Sequence, residues 1–124
     1  MLVYGPLAYG LLAGGYTPHT TFASDDWRSK SPIFDGDLFV RNLAVVEQLK
    51  GVADRHGITA AQLAVAWVLA NPVVDVAIVG ARGPHQIEQT VPAADVQLAS
   101  GTLGVIERIM RDVVPIGGPS PEGM

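Results

Sequence analysis

At 124 residues, with 48% hydrophobic and 16% charged side chains, the chain has the composition of one globular unit and not of a disordered segment. A formal net charge of −4 and a pI near 5.1 argue against a broad nucleic-acid-binding surface, while leaving room for a local basic site that holds one phosphate. The absence of cysteine excludes disulfides and thiolate metal sites, and His19, His56 and His85 lie too far apart in sequence to match a metal-ligand spacing.

Met1, Leu2 and Val3 read as the stub of a strand. "YGPLAYGLLAG", residues 4 to 14, then reads as a loop built for close backbone approach, with Gly5, Gly10 and Gly14 spaced along it. Residues 16 to 36 show neither helical nor strand periodicity, which fits a lid or a mobile surface loop, with Trp27 and Phe34 as anchors. From Asn42 a helix is expected, since Leu43, Val46, Leu49 and Ala53 recur at helical spacing and Gly57 supplies a left-handed cap. Thr59 and Gln62 have the spacing of a capping box for a second helix, which Asn71-Pro72 ends. That helix is apolar almost all round, with Trp67 in the core, yet its longest apolar stretch, Leu63 to Ala70, is too short to cross a bilayer. No basic segment precedes an apolar run at the N-terminus, so no signal peptide is read.

"VAIVG", residues 76 to 80, reads as a fully buried parallel strand. Pro84 opens a helix whose inner face is Ile87 and Val91, and Pro92 kinks or stops it. Ser100 caps a last helix with Leu103, Ile106, Met110 and Val113 on its apolar side. The Pro/Gly-rich tail, residues 115–124, is expected to be disordered, leaving residues 1–114 as the folded unit. The fold class is α/β: strand, loop, two helices, strand, two helices.

Each strand ends in a glycine-containing loop. In "VGARGPHQ", residues 79 to 86, Gly80 and Gly83 permit close backbone approach, the following helix start favours an anion, and Arg82 offers a planar charged fork. The same residues also fit a plain tight turn with Arg82 as a solvated charge.

The segments "YGPLAYGLLAGGY", "NLAVVEQLKGVADRHGITAAQLAVAWVLA" and "VAIVGARGPHQIEQT" resemble, in order and spacing, the carboxyl-terminal part of an aldo-keto reductase, over nearly the whole chain to about residue 111. The resemblance implies the last two β/α units of a (β/α)8 barrel, plus a C-terminal helix, at its NADP-binding end. It implies that Tyr4 lays its ring against the nicotinamide, the alternative being a strand-end aromatic packed into the barrel mouth. Gly5, Pro6, Leu7, Gly10, Leu12 and Gly14 would wrap the pyrophosphate. Gly80, Ala81 and Arg82, assisted by Gln86, would receive the 2′-phosphate, and Gln89 and Thr90 would face the adenine. Two departures from the family's frequent residues stand out: Gln-Thr replaces Glu-Asn at 89 and 90, and Gly5 replaces Ser.

The family reduces carbonyls with NADPH through an Asp-Tyr-Lys-His tetrad in which Tyr is the general acid. No segment of this chain matches the contexts of those residues, and Tyr4, Tyr9 and Tyr16 do not fill the gap. The resemblance implies that the chain starts inside the seventh strand. The leading expectation is the cofactor-binding end of a cytoplasmic oxidoreductase, with no catalytic residue of its own. Its expected partners are NADP(H) and either the missing barrel half or a second copy, with no nucleic acid and no membrane. The alternatives are a non-catalytic nucleotide-binding or docking module, and a vestigial fragment.

Overall fold

Two short strands, β1 (Leu2–Tyr4) and β2 (Val76–Ile78), pair in parallel with Leu2 opposite Val76, Val3 opposite Ala77 and Tyr4 opposite Ile78. The computed structural model describes residues 1–81 and 83–116. Between the strands run α1 (Gly36–Arg55) and α2 (Ala60–Leu69), and after β2 come α3 (Pro84–Thr90) and α4 (Ser100–Met110). The connection passes right along the length of α1 before α2 returns it to the sheet, so the helices and not the strands carry the core.

The α1 helix buries a continuous stripe against two clusters. Val45, Leu49, Val52 and Ala53 pack against Leu63 of α2 and Ile106 of α4. Phe39, Leu43 and Val46 pack against Leu11 and Phe34. Leu12 packs on both clusters and joins them. Each Val or Leu so buried contributes about 1.5–3 kcal/mol by leaving water.

Between α1 and α2 the chain turns in a Schellman arrangement. Ile58 N–H donates to Ala53 C=O at 3.1 Å and Gly57 N–H to Asp54 C=O at 3.1 Å, with Gly57 at φ +67°. Thr59 and Gln62 then form the expected capping box: Gln62 N–H donates to Thr59 Oγ1 at 3.1 Å, and Thr59 N–H to Gln62 Oε1 at 3.0 Å. At the far side, Asn42 is 1% exposed and acts as a side-chain strand for one residue. Its Nδ2 donates to Val114 C=O at 3.1 Å, and Val114 N–H donates to its Oδ1 at 2.7 Å. This pair fastens the segment after α4 to α1, and Ile116 packs on the second cluster.

Several expectations need correction. The α1 helix starts at Gly36, not near Asn42, because Phe39 gains an aromatic pocket that no periodicity announces. Residues 16 to 36 are not structureless: they contain 3-10 turns at Trp27–Lys30 and Pro32–Phe34, and Trp27 and Phe34 do anchor them. The N-cap of α4 is Ala99 without a side-chain bond, so Ser100 is the first helical residue and not the cap.

The strand β2 is parallel as expected but not fully buried. Val76 and Ile78 are 47% and 50% exposed, since α2 covers only the face that carries Ala77. Leu2 and Tyr4 lie on the same open face by register. Ile87 and Val91 are exposed as well, and do not form the inner face assigned to them. Val91–Asp95 is a 3-10 helix that buries Ala93 in place of Val91. The tail expected to be disordered lies outside the described residues from 117 onward, while Pro115 and Ile116 lie inside them.

Replacing Thr59 by Ala should lower stability by about 1 kcal/mol, the usual worth of an N-cap side chain. Asn42→Leu should cost about 1–3 kcal/mol, because it leaves the Val114 backbone groups unpaired. Chemical denaturation of both variants measures this; an Asn42→Leu protein as stable as wild type would contradict it. The open face of Leu2, Tyr4, Val76 and Ile78 should bind an apolar dye and promote self-association in sedimentation. Ile78→Lys should lower both signals, and unchanged dye binding would show that the face is covered.

Candidate functional site

The parallel register decides which loops meet. Tyr4 and Ile78 are paired at the carboxyl ends of their strands, so the loop that begins at Gly5 and the loop that begins at Val79 leave the sheet side by side. An antiparallel pairing would have sent them to opposite ends. Tyr4 itself is 46% exposed at this edge.

The first loop is a compact turn. Ala8 N–H donates to Gly5 C=O at 3.0 Å, and Gly10 N–H and Leu12 N–H both donate to Leu7 C=O, at 3.1 and 3.0 Å. Leu11–Ala13 follows as a 3-10 helix. Ala8 and Tyr9 hold φ of +50° and +58°, and Gly10 follows at +93°. A non-glycine residue in this region costs on the order of 1–3 kcal/mol. Gly10 is required twice over, since a Cβ there would also run into Tyr16 Oη.

That strain is held from outside the loop. The Tyr9 carbonyl accepts from Arg28 Nη1 at 2.9 Å and from Tyr16 Oη at 3.0 Å, and Arg28 Nη1 also donates to Tyr16 Oη at 2.6 Å. Arg28 is oriented in turn by Asp26, with Nε 3.0 Å from Oδ1 and Nη2 2.5 Å from Oδ2. Donation to the Asp26 carboxylate raises the Arg28 guanidinium above its ordinary pKa, burial opposing it. Phe22 lies under the guanidinium, whose carbon is 4.6 Å from the ring centroid. Tyr9, Asp25, Asp26, Trp27 and Arg28 line an open cleft of about 450 Å³ beside this turn.

The second loop is open. A Cβ placed on Gly80 or Gly83, as on Gly5 of the first loop, would meet nothing within 4 Å beyond its chain neighbours. Gly80, Ala81 and Thr90 border a largely apolar cavity of about 300 Å³ between α2, β2 and α3, which Ala77 and Val79 floor. At the helix end, Thr90 Oγ1 donates to Gln86 C=O at 2.8 Å, and Gln89 C=O accepts from Gln62 Nε2 at 2.6 Å. The Gln86 and Gln89 side chains are exposed.

Among the residues proposed from sequence, Tyr4, Gly5, Gly80 and Ala81 come together at the strand ends. Pro6 is buried, and Leu12 is engaged in the core between the two clusters. Gly14 stands against Lys50 and Ala60, so it serves close packing of the loop on α1 and α2. Arg82 lies outside the described residues. Sequence reading missed the Tyr16–Arg28 clamp; its available signal is Asp26 two residues before Arg28, a spacing that lets the aspartate cap a turn and pair with the arginine. Among the described residues no group of three or more His, Asp or Glu is placed to hold a metal, and no helix is long and apolar enough to cross a membrane.

A sequence model of the Aldo/keto reductase family matches residues 1–111. "Aldo-keto reductase YhdN" of Bacillus subtilis is 37% identical over 119 residues, covering 94% of this chain and 36% of that protein. "Aldo-keto reductase yakc [NADP(+)]" of Schizosaccharomyces pombe is 30% identical over 123 residues, covering 99% of this chain and 36% of that protein. The chain therefore spans about a third of the length of the curated relatives it matches. The solved glycerol dehydrogenase of Gluconobacter oxydans superposes with a TM-score of 0.85 at 32% identity, over 97% of this chain and 36% of that one. With the α/β fold and the match over residues 1–111 in agreement, the chain belongs to the aldo/keto reductase family.

Proposed function

We propose that this chain is the NADP(H)-binding carboxyl-terminal portion of an aldo-keto reductase, a cytoplasmic oxidoreductase acting on carbonyls and alcohols. In this reading it contributes the last two β/α units and the final helix of a (β/α)8 barrel. The observation that carries the reading is the Tyr4–Ile78 pairing, which sets the two glycine loops side by side at the carboxyl edge of a parallel sheet. That is the edge on which barrel enzymes bind phosphate. The open space at Gly5, Gly80 and Gly83 suits a group that must approach the backbone closely. The NADP(+) in the name of the fission-yeast relative supports the same cofactor.

Roles follow the geometry. Tyr4, half exposed at the strand end, offers its ring for stacking on the nicotinamide. The turn from Gly5 to Gly14, with Leu7 and Gly10 shaping it, wraps the pyrophosphate by its backbone. Gly80 and Ala81 clear the way for the 2′-phosphate, and Arg82 supplies its charge. Gln86, Gln89 and Thr90 edge the adenine side, where the Thr90 hydroxyl is already given to its own helix. The cofactor supplies hydride when bound; this chain's part is to hold it. The open sheet face of Leu2, Val76 and Ile78 is covered in this reading by further strands of the barrel.

NADPH should bind more tightly than NADH, measured by fluorescence titration. Arg82→Ala should cut that preference roughly tenfold to a hundredfold, as expected for losing one hydrogen bond to a charged partner. Equal preference in wild type and Arg82→Ala would move the phosphate site elsewhere. The chain by itself should reduce no aldehyde with NADPH, since no residue here is assigned as the proton donor to the forming alkoxide. Steady NADPH oxidation proportional to chain concentration would overturn that.

A further inference from the structure

A strained turn persists only where its surroundings over-determine it. The turn at Ala8 and Tyr9 is such a case, with two consecutive non-glycine residues in the left-handed region. Its internal bonds to the Leu7 carbonyl close one side only. The other side is fixed by the Tyr9 carbonyl, which takes one bond from Tyr16 and one from Arg28. Neither donor belongs to the turn. Arg28 sits at the start of the Trp27–Lys30 3-10 helix, where Asp26 caps the helix through Arg28 N–H at 3.0 Å and also grips the guanidinium. Donor, acceptor and support are thus placed by local geometry before any ligand arrives. The glycine at position 10 leaves the room that Tyr16 Oη needs for its part in the clamp.

We propose that Arg28 is a positioning residue for the 5–14 loop: its bonds to the Tyr9 carbonyl and the Tyr16 hydroxyl lock the left-handed turn and so set how firmly that loop closes on a dinucleotide phosphate. The inference rests on reading this loop as the wrap around NADP(H). It makes the 22–34 segment part of the cofactor site without touching the cofactor. A neutral substitute cannot take its place, because the carbonyl and hydroxyl are bonded by one charged nitrogen that Asp26 aims.

Amide hydrogen exchange at Gly10, Leu11 and Leu12 is measured without cofactor in wild type, Arg28→Ala, Arg28→Lys and Tyr16→Phe, beside the amides of α1. NADPH titration and dissociation rates are measured on the same samples. Arg28→Ala should speed loop exchange and raise the NADPH dissociation constant, each about tenfold or more, the consequence of losing a hydrogen bond to a charged donor. Exchange in α1 should stay unchanged, and added ethylguanidinium should restore NADPH binding. Arg28→Lys should recover part of the effect, since an ammonium reaches the two acceptors but not the Asp26 fork. Should Arg28→Ala loosen α1 as well, Tyr16→Phe decides, because it removes only one hydroxyl from the clamp. Unchanged loop exchange in Tyr16→Phe and Arg28→Ala overturns the clamp. A loosened loop with unchanged NADPH binding overturns its link to the cofactor. If wild type binds no NADPH, the cofactor reading falls and this link with it, while the exchange data still judge the clamp.

Discussion

Three residue pairs between two short parallel strands govern the arrangement of everything else. Because Leu2, Val3 and Tyr4 run in the same direction as Val76, Ala77 and Ile78, the chain after each strand departs from one edge. Parallel pairing demands a long crossover, and here that crossover is the helical body itself. The N-terminus reinforces the register from the opposite end: the Met1 amino group pairs with Asp75, and the Met1 carbonyl accepts from Asp75 N–H at 2.9 Å. Shifting the pairing by one residue would put one strand's side chains on the opposite face, so that Val3 and Ala77 would no longer face α2 together.

The helical body holds that register in place by packing on both sides of α1. One helix serves two clusters, and Leu12 sits where they meet, so the first loop is bolted to the same core that orients α2. This explains why a turn with unfavourable backbone angles is ordered. Leu11 is 2% exposed beneath it, and the Arg28–Tyr16 pair bonds it from above. Packing anchors the loop's base and charge-assisted hydrogen bonds fix its crest. Among its described residues the second loop has no comparable support: Gly80 and Gly83 face open space, and the cavity beside them is walled by α2 and α3.

The aromatic residues of the 16–36 segment tie the first loop to α1. Tyr9 meets Trp27 edge to face at 4.9 Å, Trp27 meets Phe34 at 5.7 Å, and Phe34 meets Phe39 of α1 at 6.0 Å. Such contacts are worth about 0.5–1.5 kcal/mol each beyond the area they bury. Their sum converts a stretch without periodicity into a rigid brace. A helix start at Gly36 follows from the same cluster, since Phe39 has a pocket only when the brace is folded.

The elements legible from sequence were those whose stabilising partners lie within a few residues. The α1 stripe, the Gly57 turn, the Thr59–Gln62 box and the Pro84 helix start all depend on local spacing, and all occur as read. The α/β order and the family resemblance were legible for the same reason, as runs of residues in sequence. What depended on distant partners was not. The aromatic brace, the early start of α1, the Asn42–Val114 pairing and the Arg28 clamp each join residues whose meeting no periodicity encodes. The burial of β2 and of Ile87 was misjudged because an apolar run records what a segment could bury, not which neighbour is there to cover it. The sequence by itself determined the local elements and the residue types the two loops offer. Tertiary structure alone decided that those loops share one edge, because strand direction and register are properties of the pair.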